Sequence, residues 1–325
     1  MRYLFTLTLI FAIKFLATAQ QPVQSSLYML NKFSYNPAYA GLDNSVSVTG
    51  MFRKQWVNLE GSPTSQNLNA HMPLYYLGGG IGINIENDVL GAQRNTSISL
   101  AYNYQMTINK SSILSFGLSV GAAQQALDGT KLRAPDGDYV EGGVFSHNDN
   151  FIPIGLEQAI APRISAGVYF QNETYEIGLA VNDLLESTFE YGLQNLTNVK
   201  LKRNYFLNFG ASFDVSSSLE LLPSILVKSD IQQTQVEFST LLRYNGNIFG
   251  GATFRGYTAT SVDAVVILAG IRLNEKITLS YAYDLTLSAL KSVSEGSHEI
   301  MVNYNLNKPI GKGIPPKVIY NPRFL

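Results

Sequence analysis

The sequence predicts a transmembrane antiparallel β-barrel of the up-and-down type, all-β, with about fourteen strands and both termini in the periplasm. Three observations support this prediction. Segments of alternating polarity recur over residues 45–306, their connections are by turns short and long, and an export signal precedes them. Because a strand in a barrel wall faces lipid on one side and the lumen on the other, alternation is the pattern that such a wall requires.

The chain begins with a segment typical of a secretory signal peptide. Met1-Arg2 gives a basic start, residues 3–16 are mostly apolar, and Ala17-Thr18-Ala19 offers small residues for cleavage before Gln20. The sequence therefore predicts that residues 1–19 are removed on export. Because glutamine follows the cut and the chain has no cysteine, a lipoprotein anchor is excluded. Beyond the leader, no apolar run reaches the roughly eighteen residues that a membrane helix needs.

The strand pattern is clearest at residues 98–108, where even positions are apolar and odd positions are small or polar. The same alternation returns at residues 114–120, 175–181, 277–283 and 300–306. Charged residues occupy the opposite phase, and since each would cost several kcal/mol in lipid, we expect them to face the lumen. These residues are Glu86, Glu176, Lys228, Glu237, Arg243, Asp284 and Glu299. Glycines in the same phase leave room for a plug, for which residues 20–44 are a candidate: Gly117, Gly121, Gly167, Gly178, Gly210 and Gly270.

The connections between these segments alternate in length. Short turns rich in Asn, Gly and Ser are predicted at residues 109–111, 172–174, 216–218, 245–247 and 274–276. Longer polar connections are predicted at residues 54–63, 88–94, 128–162, 183–202, 256–261 and 286–297, with a shortened one at 229–233. Since tight turns of outer-membrane barrels lie in the periplasm and long loops lie outside, the order predicts the orientation of the barrel.

Composition separates the barrel from a soluble β-sandwich of the same length. The chain has 19 tyrosines and 17 phenylalanines but only 14% charged residues, as expected of a wall with aromatic girdles at both membrane interfaces. Nothing in the architecture of a β-sandwich requires short turns at one end and long loops at the other. The net charge of −1 gives no electrostatic basis for binding nucleic acid, and the absence of cysteine excludes disulfides.

No catalytic arrangement is apparent. The three histidines, His71, His147 and His298, are far apart and lack metal-ligand spacing. Gly78-Gly79-Gly80 lacks the lysine and hydroxyl of a phosphate-binding loop, and Asp136-Gly137-Asp138 lacks the remaining ligands of a calcium loop. The pair His298-Glu299 at a strand end is more typical of polar lining than of a triad. We therefore expect neither enzymatic activity nor a cofactor.

Several short motifs resemble a known family. They are Ser34-Tyr35-Asn36-Pro37-Ala38-Tyr39-Ala40-Gly41, Arg53-Lys54-Gln55-Trp56-Val57, Gly61-Ser62-Pro63-Thr64-Ser65-Gln66, Ser297-His298-Glu299-Ile300 and Pro322-Arg323-Phe324. From about residue 27 to the end, the chain resembles the PorP/SprF family of outer-membrane barrels in the type IX secretion and gliding machinery of Bacteroidetes. Resemblance to PorP implies a link to the periplasmic motor ring and its peptidoglycan-binding lipoprotein. Resemblance to SprF implies helping a secreted adhesin to reach and stay on the cell surface.

The family-like residues admit two interpretations, a lumen plug or a partner-binding site. They are Tyr35, Asn36, Pro37, Ala38, Tyr39, Gly41, Arg53, Gln55 and Trp56. Residues 307–325 form a Pro-rich basic tail that cannot be a membrane strand. Because Pro-rich segments lose little entropy on binding, the tail is either a periplasmic docking strip or a mobile extension. Its candidate docking residues are Lys308, Lys312, Lys317, Arg323 and Phe324.

The sequence therefore predicts a protein of the outer membrane that supports secretion and surface attachment through protein contacts. Its expected partners are outer-membrane lipid, a secreted surface protein, other secretion components and the periplasmic lipoprotein. A diffusion channel or hydrophobic-solute transporter with an N-terminal hatch is the alternative. An open polar path through the lumen would favour the channel, and a lumen sealed by residues 20–44 would favour the scaffold.

Overall fold

The structure is a computed structural model that describes residues 23–109, 111–139, 145–149, 151–191, 197–257 and 261–308. The predicted signal peptide, residues 1–19, lies outside these residues. The same is true of the predicted tail beyond Lys308, which includes Lys312, Lys317, Arg323 and Phe324.

Strands make up most of the described chain. They are β1 Ser47–Lys54, β2 Thr64–Leu74, β3 Gly79–Leu90, β4 Gln93–Asn109, β5 Ser112–Asp128, β6 Leu156–Gln171, β7 Tyr175–Asn182, β8 Thr188–Tyr191, β9 Thr197–Lys200, β10 Asn204–Ala211, β11 Phe213–Ser216, β12 Leu219–Ser229, β13 Thr234–Tyr244, β14 Ile248–Tyr257, β15 Ser261–Arg272, β16 Ile277–Thr286 and β17 Ser297–Asn305. Short 3-10 helices lie at Tyr28–Leu30, Lys32–Ser34, Pro37–Tyr39, Tyr75–Leu77, Gly129–Lys131 and Ala289–Ser292. Among the described residues, no helix is long and apolar enough to cross a membrane.

The strands form one closed antiparallel sheet. Neighbours in the chain pair with each other, and β1 pairs with β17 from Ser47↔Asn305 to Lys54↔His298, which closes the barrel. Strands β10 and β11 are two parts of one wall strand, interrupted at Ser212, because both pair with β12. Strands β8 and β9 form a separate hairpin within the connection from β7 to β10. The predicted barrel of fourteen strands is confirmed.

All the short turns predicted from sequence lie between consecutive wall strands. At the other end of the barrel, the connections from β1 to β2, β5 to β6, β7 to β10 and β16 to β17 are long. The connection predicted at residues 256–261 is shorter than predicted, because β14 ends at Tyr257 and β15 begins at Ser261. In the turn from β13 to β14, Asn245 and Gly246 have φ of 48° and 67°, the left-handed pair that closes a tight hairpin. The connection predicted at residues 88–94 differs, because β3 and β4 continue to a Leu90↔Gln93 pair and only Gly91 and Ala92 turn the chain. Polar residues in this stretch belong to strands, and Gly91, with φ of 57°, allows the turn to be tight.

The outer face of the wall is apolar and the inner face is polar. On β4, Leu100 is 57% exposed on the outside, whereas Asn103 is buried on the inside. The charged residues predicted to face the lumen do so, and Glu237 and Glu299 are completely buried there. Since exposed leucine, isoleucine, phenylalanine and tyrosine side chains surround the barrel, its exterior is suited to lipid.

The phase of the wall can be tested on two neighbouring residues of β4. Leu100→Arg puts a charge into lipid and is expected to cost about 2–4 kcal/mol, whereas Ser99→Arg points into a lumen cavity that Glu86 also lines. Abundance and heat-modifiability of the folded form in the outer membrane measure the difference. Equal loss in both variants would contradict the assigned phase.

Candidate functional site

The lumen is occupied by residues 23–44, here called the lumen segment. The segment begins beside Lys228 and Glu237, near the long-connection ends of β12 and β13, and leads at the short-turn end into Ser47 of β1. Leu27, Ala38 and Ala40 within it are completely buried. The site of interest is therefore the contact between this segment and the inner wall.

A central network of charged side chains crosses the lumen. Arg53 and Arg255 both donate to Oδ2 of Asp284, at 2.7 Å each. Arg53 also reaches Glu299 Oε2 at 3.2 Å, and Arg255 reaches Glu237 Oε2 at 3.0 Å. None of these side chains is more than 2% exposed, so their charges are compensated by one another rather than by water.

The lumen segment takes part in this network through Ser26. The Ser26 hydroxyl accepts hydrogen bonds from Arg53 at 2.9 Å and Arg255 at 2.7 Å, and it donates to Asp284 Oδ1 at 2.7 Å. The backbone N–H of Ser26 donates to Glu299 Oε2 at 2.7 Å. One small residue therefore joins both arginines and two carboxylates.

Residues beside Ser26 extend the same contact. The N–H of Leu27 donates to Glu299 Oε1 at 3.2 Å. The Gln24 side chain donates to Glu237 at 2.9 Å and accepts from Lys228 at 2.5 Å. Because the segment supplies hydrogen-bond partners to both arginines and to Glu237, Asp284 and Glu299, its removal would take partners away from each of these charges.

The middle of the segment is held by hydroxyl, amide and aromatic groups. The Tyr28 hydroxyl bonds to Ser224 at 3.1 Å and to Ser239 at 2.9 Å. The Tyr35 ring stacks on Phe206 with centroids 5.6 Å apart. Neutral polar contacts of this kind fix orientation without further buried charge.

The motif Tyr35–Gly41 lies inside the lumen near the short-turn end. Asn36 is extended and caps the 3-10 helix by accepting from the N–H of Ala38 at 3.0 Å. Its amide also donates to the carbonyl oxygens of Val168 at 3.3 Å and Leu179 at 3.2 Å. The carbonyl oxygen of Ala38 in turn accepts from Asn103 at 2.7 Å. Proline at the first helical position is compatible with this turn because its nitrogen has no hydrogen to satisfy.

Two glycines on the inner wall make room for this motif. A Cβ at Gly117 would lie 2.3 Å from the nitrogen of Ala38, and one at Gly167 would lie 2.1 Å from Asn36 Oδ1. The other glycines predicted to leave room for a plug meet wall atoms instead: Gly121, Gly178, Gly210 and Gly270. Gly80, which the sequence prediction did not include, also makes room for the motif: a Cβ there would lie 2.1 Å from the carbonyl oxygen of Ala40.

The remaining predicted site residues lie elsewhere. Arg53 belongs to the central network, whereas Gln55 and Trp56 lie in the connection from β1 to β2. The N–H of Gln55 donates to the carbonyl of Pro63 at 2.9 Å, and that of Trp56 donates to Ser297 Oγ at 3.1 Å. The family-like residues are thus divided between the lumen and the long-connection end.

Sequence reasoning did not single out Arg255, Arg163 or Ser26. Arg255 shares the inward phase of Thr253, so alternation along β14 could have identified it. Arg163 contacts Asp183 at 2.5 Å. Nothing local marks Ser26, because its partners lie more than 200 residues away except for Arg53.

Cavities remain on both sides of the lumen segment. One, of about 220 Å³, lies toward the long connections, and Tyr28 and Tyr35 line it. Two smaller ones, of about 100 and 120 Å³, lie toward the short turns, and Lys32 and Tyr39 line both. The segment therefore separates the two ends of the lumen. In the described ranges, no group of three or more histidine or acidic side chains could hold a metal ion.

The central network can be tested with one substitution. Arg255→Met removes one cationic partner from each of two buried carboxylates, Glu237 and Asp284, and is expected to lower the free energy of unfolding by about 3–5 kcal/mol. Urea unfolding in lipid, followed by fluorescence of the single tryptophan, measures the change. Lys200→Met is the control, because Lys200 also pairs with a carboxylate but is 61% exposed. Its hydrogen bond lowers the pKa of Glu186. Equal shifts in both variants would contradict a structural role for the network.

Comparisons with known proteins bear on this site and on the fold. Among solved structures, the Ralstonia pickettii toluene transporter TbuX is 12% identical, with a TM-score of 0.48 over 86% of this chain and 93% of that chain. The Acinetobacter baumannii outer membrane protein Omp33 is 5% identical, with a TM-score of 0.44 over 80% of this chain and 97% of that chain. No curated protein sequence matches the chain.

A family model described as "Type IX secretion system membrane protein PorP/SprF" matches residues 17–304. This range includes the lumen segment, almost all of the wall and the family-like motifs except Pro322-Arg323-Phe324. The closed sheet and its apolar exterior agree with a location in the outer membrane. The protein is an outer-membrane β-barrel, and the chain belongs to the PorP/SprF family of type IX secretion system membrane proteins.

Proposed function

We propose that this protein is a non-enzymatic component of type IX secretion that acts through protein contacts at the two ends of its barrel. The observation that carries the proposal is the lumen segment, which is bonded to the central network through Ser26. Opening a path for solutes would require Arg53, Arg255 and their carboxylates to lose these partners. Breaking buried charge contacts of this kind costs several kcal/mol, so the lumen is suited to support the wall rather than to conduct.

The long-connection end is the surface proposed to meet a secreted partner. Strands β4 and β5 have 17 residues each, longer than strands β12 to β16 on the opposite side of the barrel. The hairpin of β8 and β9 packs there, with Phe189 and Tyr191 buried against Ala123 and Ala161. An ordered surface at the cell exterior fits the role of a SprF-like protein in export and surface attachment of an adhesin.

The short-turn end is the surface proposed to meet periplasmic partners. The N–H of Lys308 donates to Ser45 Oγ at 3.2 Å, so the tail leaves the barrel beside the base of β1. Residues 309–325 carry basic side chains that suit an acidic partner. This placement fits a PorP-like link to the periplasmic motor ring through a peptidoglycan-binding lipoprotein, which is the second form of the proposal.

Deletion of the gene separates this proposal from the channel hypothesis. We expect a specific secreted surface protein to be missing from the cell surface, with uptake of small solutes unchanged. The purified wild-type barrel should show no steady conductance in planar bilayers. Reduced solute uptake with normal surface proteins, together with single-channel conductance, would overturn the proposal in favour of a channel or transporter whose hatch is the lumen segment.

Orientation of the barrel can be tested separately with single cysteines, since the chain has none. Glu60 is exposed in the connection from β1 to β2, and Glu275 is exposed in the short turn from β15 to β16. The two variants are Glu60→Cys and Glu275→Cys. A membrane-impermeant maleimide on intact cells is expected to label the first and not the second. The reverse pattern would place the long connections in the periplasm.

A further inference from the structure

A group of polar side chains lies on the outer face of the wall, where β16, β17, β1 and β2 are neighbours. Register places Lys54 opposite His298 on one side and opposite Thr64 on the other, and His298 lies opposite Tyr283. These residues face outward because the residues before Lys54 and after His298 are the buried network members Arg53 and Glu299. We call Lys54, His298, Gln66, Tyr281 and Tyr283 the outer-face group.

The outer-face group lies at the upper edge of the apolar band. One step down each strand, Phe52 is 45%, Ile300 is 52% and Leu68 is 52% exposed. Lys54 on β1 and His298 on β17 are thus the first polar residues above the surface that contacts acyl chains. At this level of an outer-membrane barrel, headgroups of the lipid leaflet lie against the wall.

The charge of Lys54 is not matched by an acid. Its Nζ donates to Thr64 Oγ1 at 3.0 Å and to the carbonyl oxygen of Ser62 at 3.4 Å, and both of these acceptors are neutral. In the part of the chain that the structure describes, no carboxylate forms an ion pair with it. Arg53, the adjacent residue on the inner face, is by contrast paired with two carboxylates. An external anion is therefore the missing partner of Lys54.

The neighbours of Lys54 are suited to the same anion. His298 Nδ1 is hydrogen-bonded to the Tyr281 hydroxyl at 2.6 Å, and its ring lies 5.0 Å from the ring of Tyr283. These contacts fix the orientation of the histidine ring, and in the tautomer whose Nδ1 accepts from the Tyr281 hydroxyl, Nε2 carries the hydrogen and can donate it. An ammonium, an imidazole and the exposed amide of Gln66 on adjacent strands form a set of donors suited to a phosphate.

We propose that the outer-face group binds the phosphate of an acylated glycolipid of the lipid A class in the outer leaflet. The sugar phosphate would accept hydrogen bonds from Lys54 and His298, while the acyl chains lie along Phe52, Ile300 and Leu68. A free phosphate would not use this apolar surface directly below the donors. The inference rests on the proposed orientation, since only external long connections place this group in the outer leaflet.

The test uses the purified, delipidated full-length barrel titrated with monophosphoryl lipid A and with its dephosphorylated form, measured by native mass spectrometry. We expect the phosphorylated form to bind more tightly. The double variant Lys54→Gln/His298→Gln should weaken its binding by about tenfold or more, because it removes the charge-assisted hydrogen bonds to the phosphate. Lys131→Gln is the control, since Lys131 is 61% exposed and already lies 3.6 Å from Asp128. Heat-modifiability verifies that each variant is folded.

The inference is overturned by equal binding of the two lipid forms, by unchanged binding of the folded double variant, or by equal weakening in Lys131→Gln. Displacement of the lipid by millimolar inorganic phosphate would also overturn it, because the site would then take the free anion. The proposed function is tested by the secretion phenotype and the cysteine labelling. A failure of lipid binding changes neither result, so the two proposals can fail independently.

Discussion

The structure depends on the pairing of buried charges around Ser26. Arg53 and Arg255 share Asp284 and are flanked by Glu299 and Glu237, and none of these side chains is more than 2% exposed. Charges in such surroundings are stable only when each has partners of good geometry. The lumen segment supplies several of those partners, so the wall and its contents stabilise each other.

This mutual dependence limits how the barrel can work. Departure of the lumen segment would break the hydrogen bonds of Ser26 to the central network and the close packing of Ala38 on Gly117. A segment that acts as a hatch would have to lose these contacts each time it opens. Because these contacts hold the lumen segment in place, we expect the protein to act through the two ends of its barrel. The same contrast appears across β1, where Arg53 is paired inside the wall while Lys54 outside has only neutral acceptors.

The wall was predictable because its signals are local. Alternation of period two assigns each residue of β4 to lipid or lumen, and the Asn245-Gly246 pair marks a tight hairpin in the sequence itself. The long connections predicted at residues 88–94 and 256–261 were wrong, because the flanking strands extend into both stretches. At residues 88–94, the polar side chains belong to the paired strands β3 and β4, and only Gly91 and Ala92 turn the chain.

By itself, the sequence determined the β-barrel class, the number of wall strands and the inward phase of residues such as Glu237 and Glu299. It also indicated the family through Tyr35–Gly41. Only the tertiary structure decided which inward groups meet. Ser26 and Glu299 are 273 positions apart, and Arg53 and Asp284 are 231 apart. Residues on opposite strands contact each other across a lumen only when register and closure bring them to the same height, and no local pattern encodes that height.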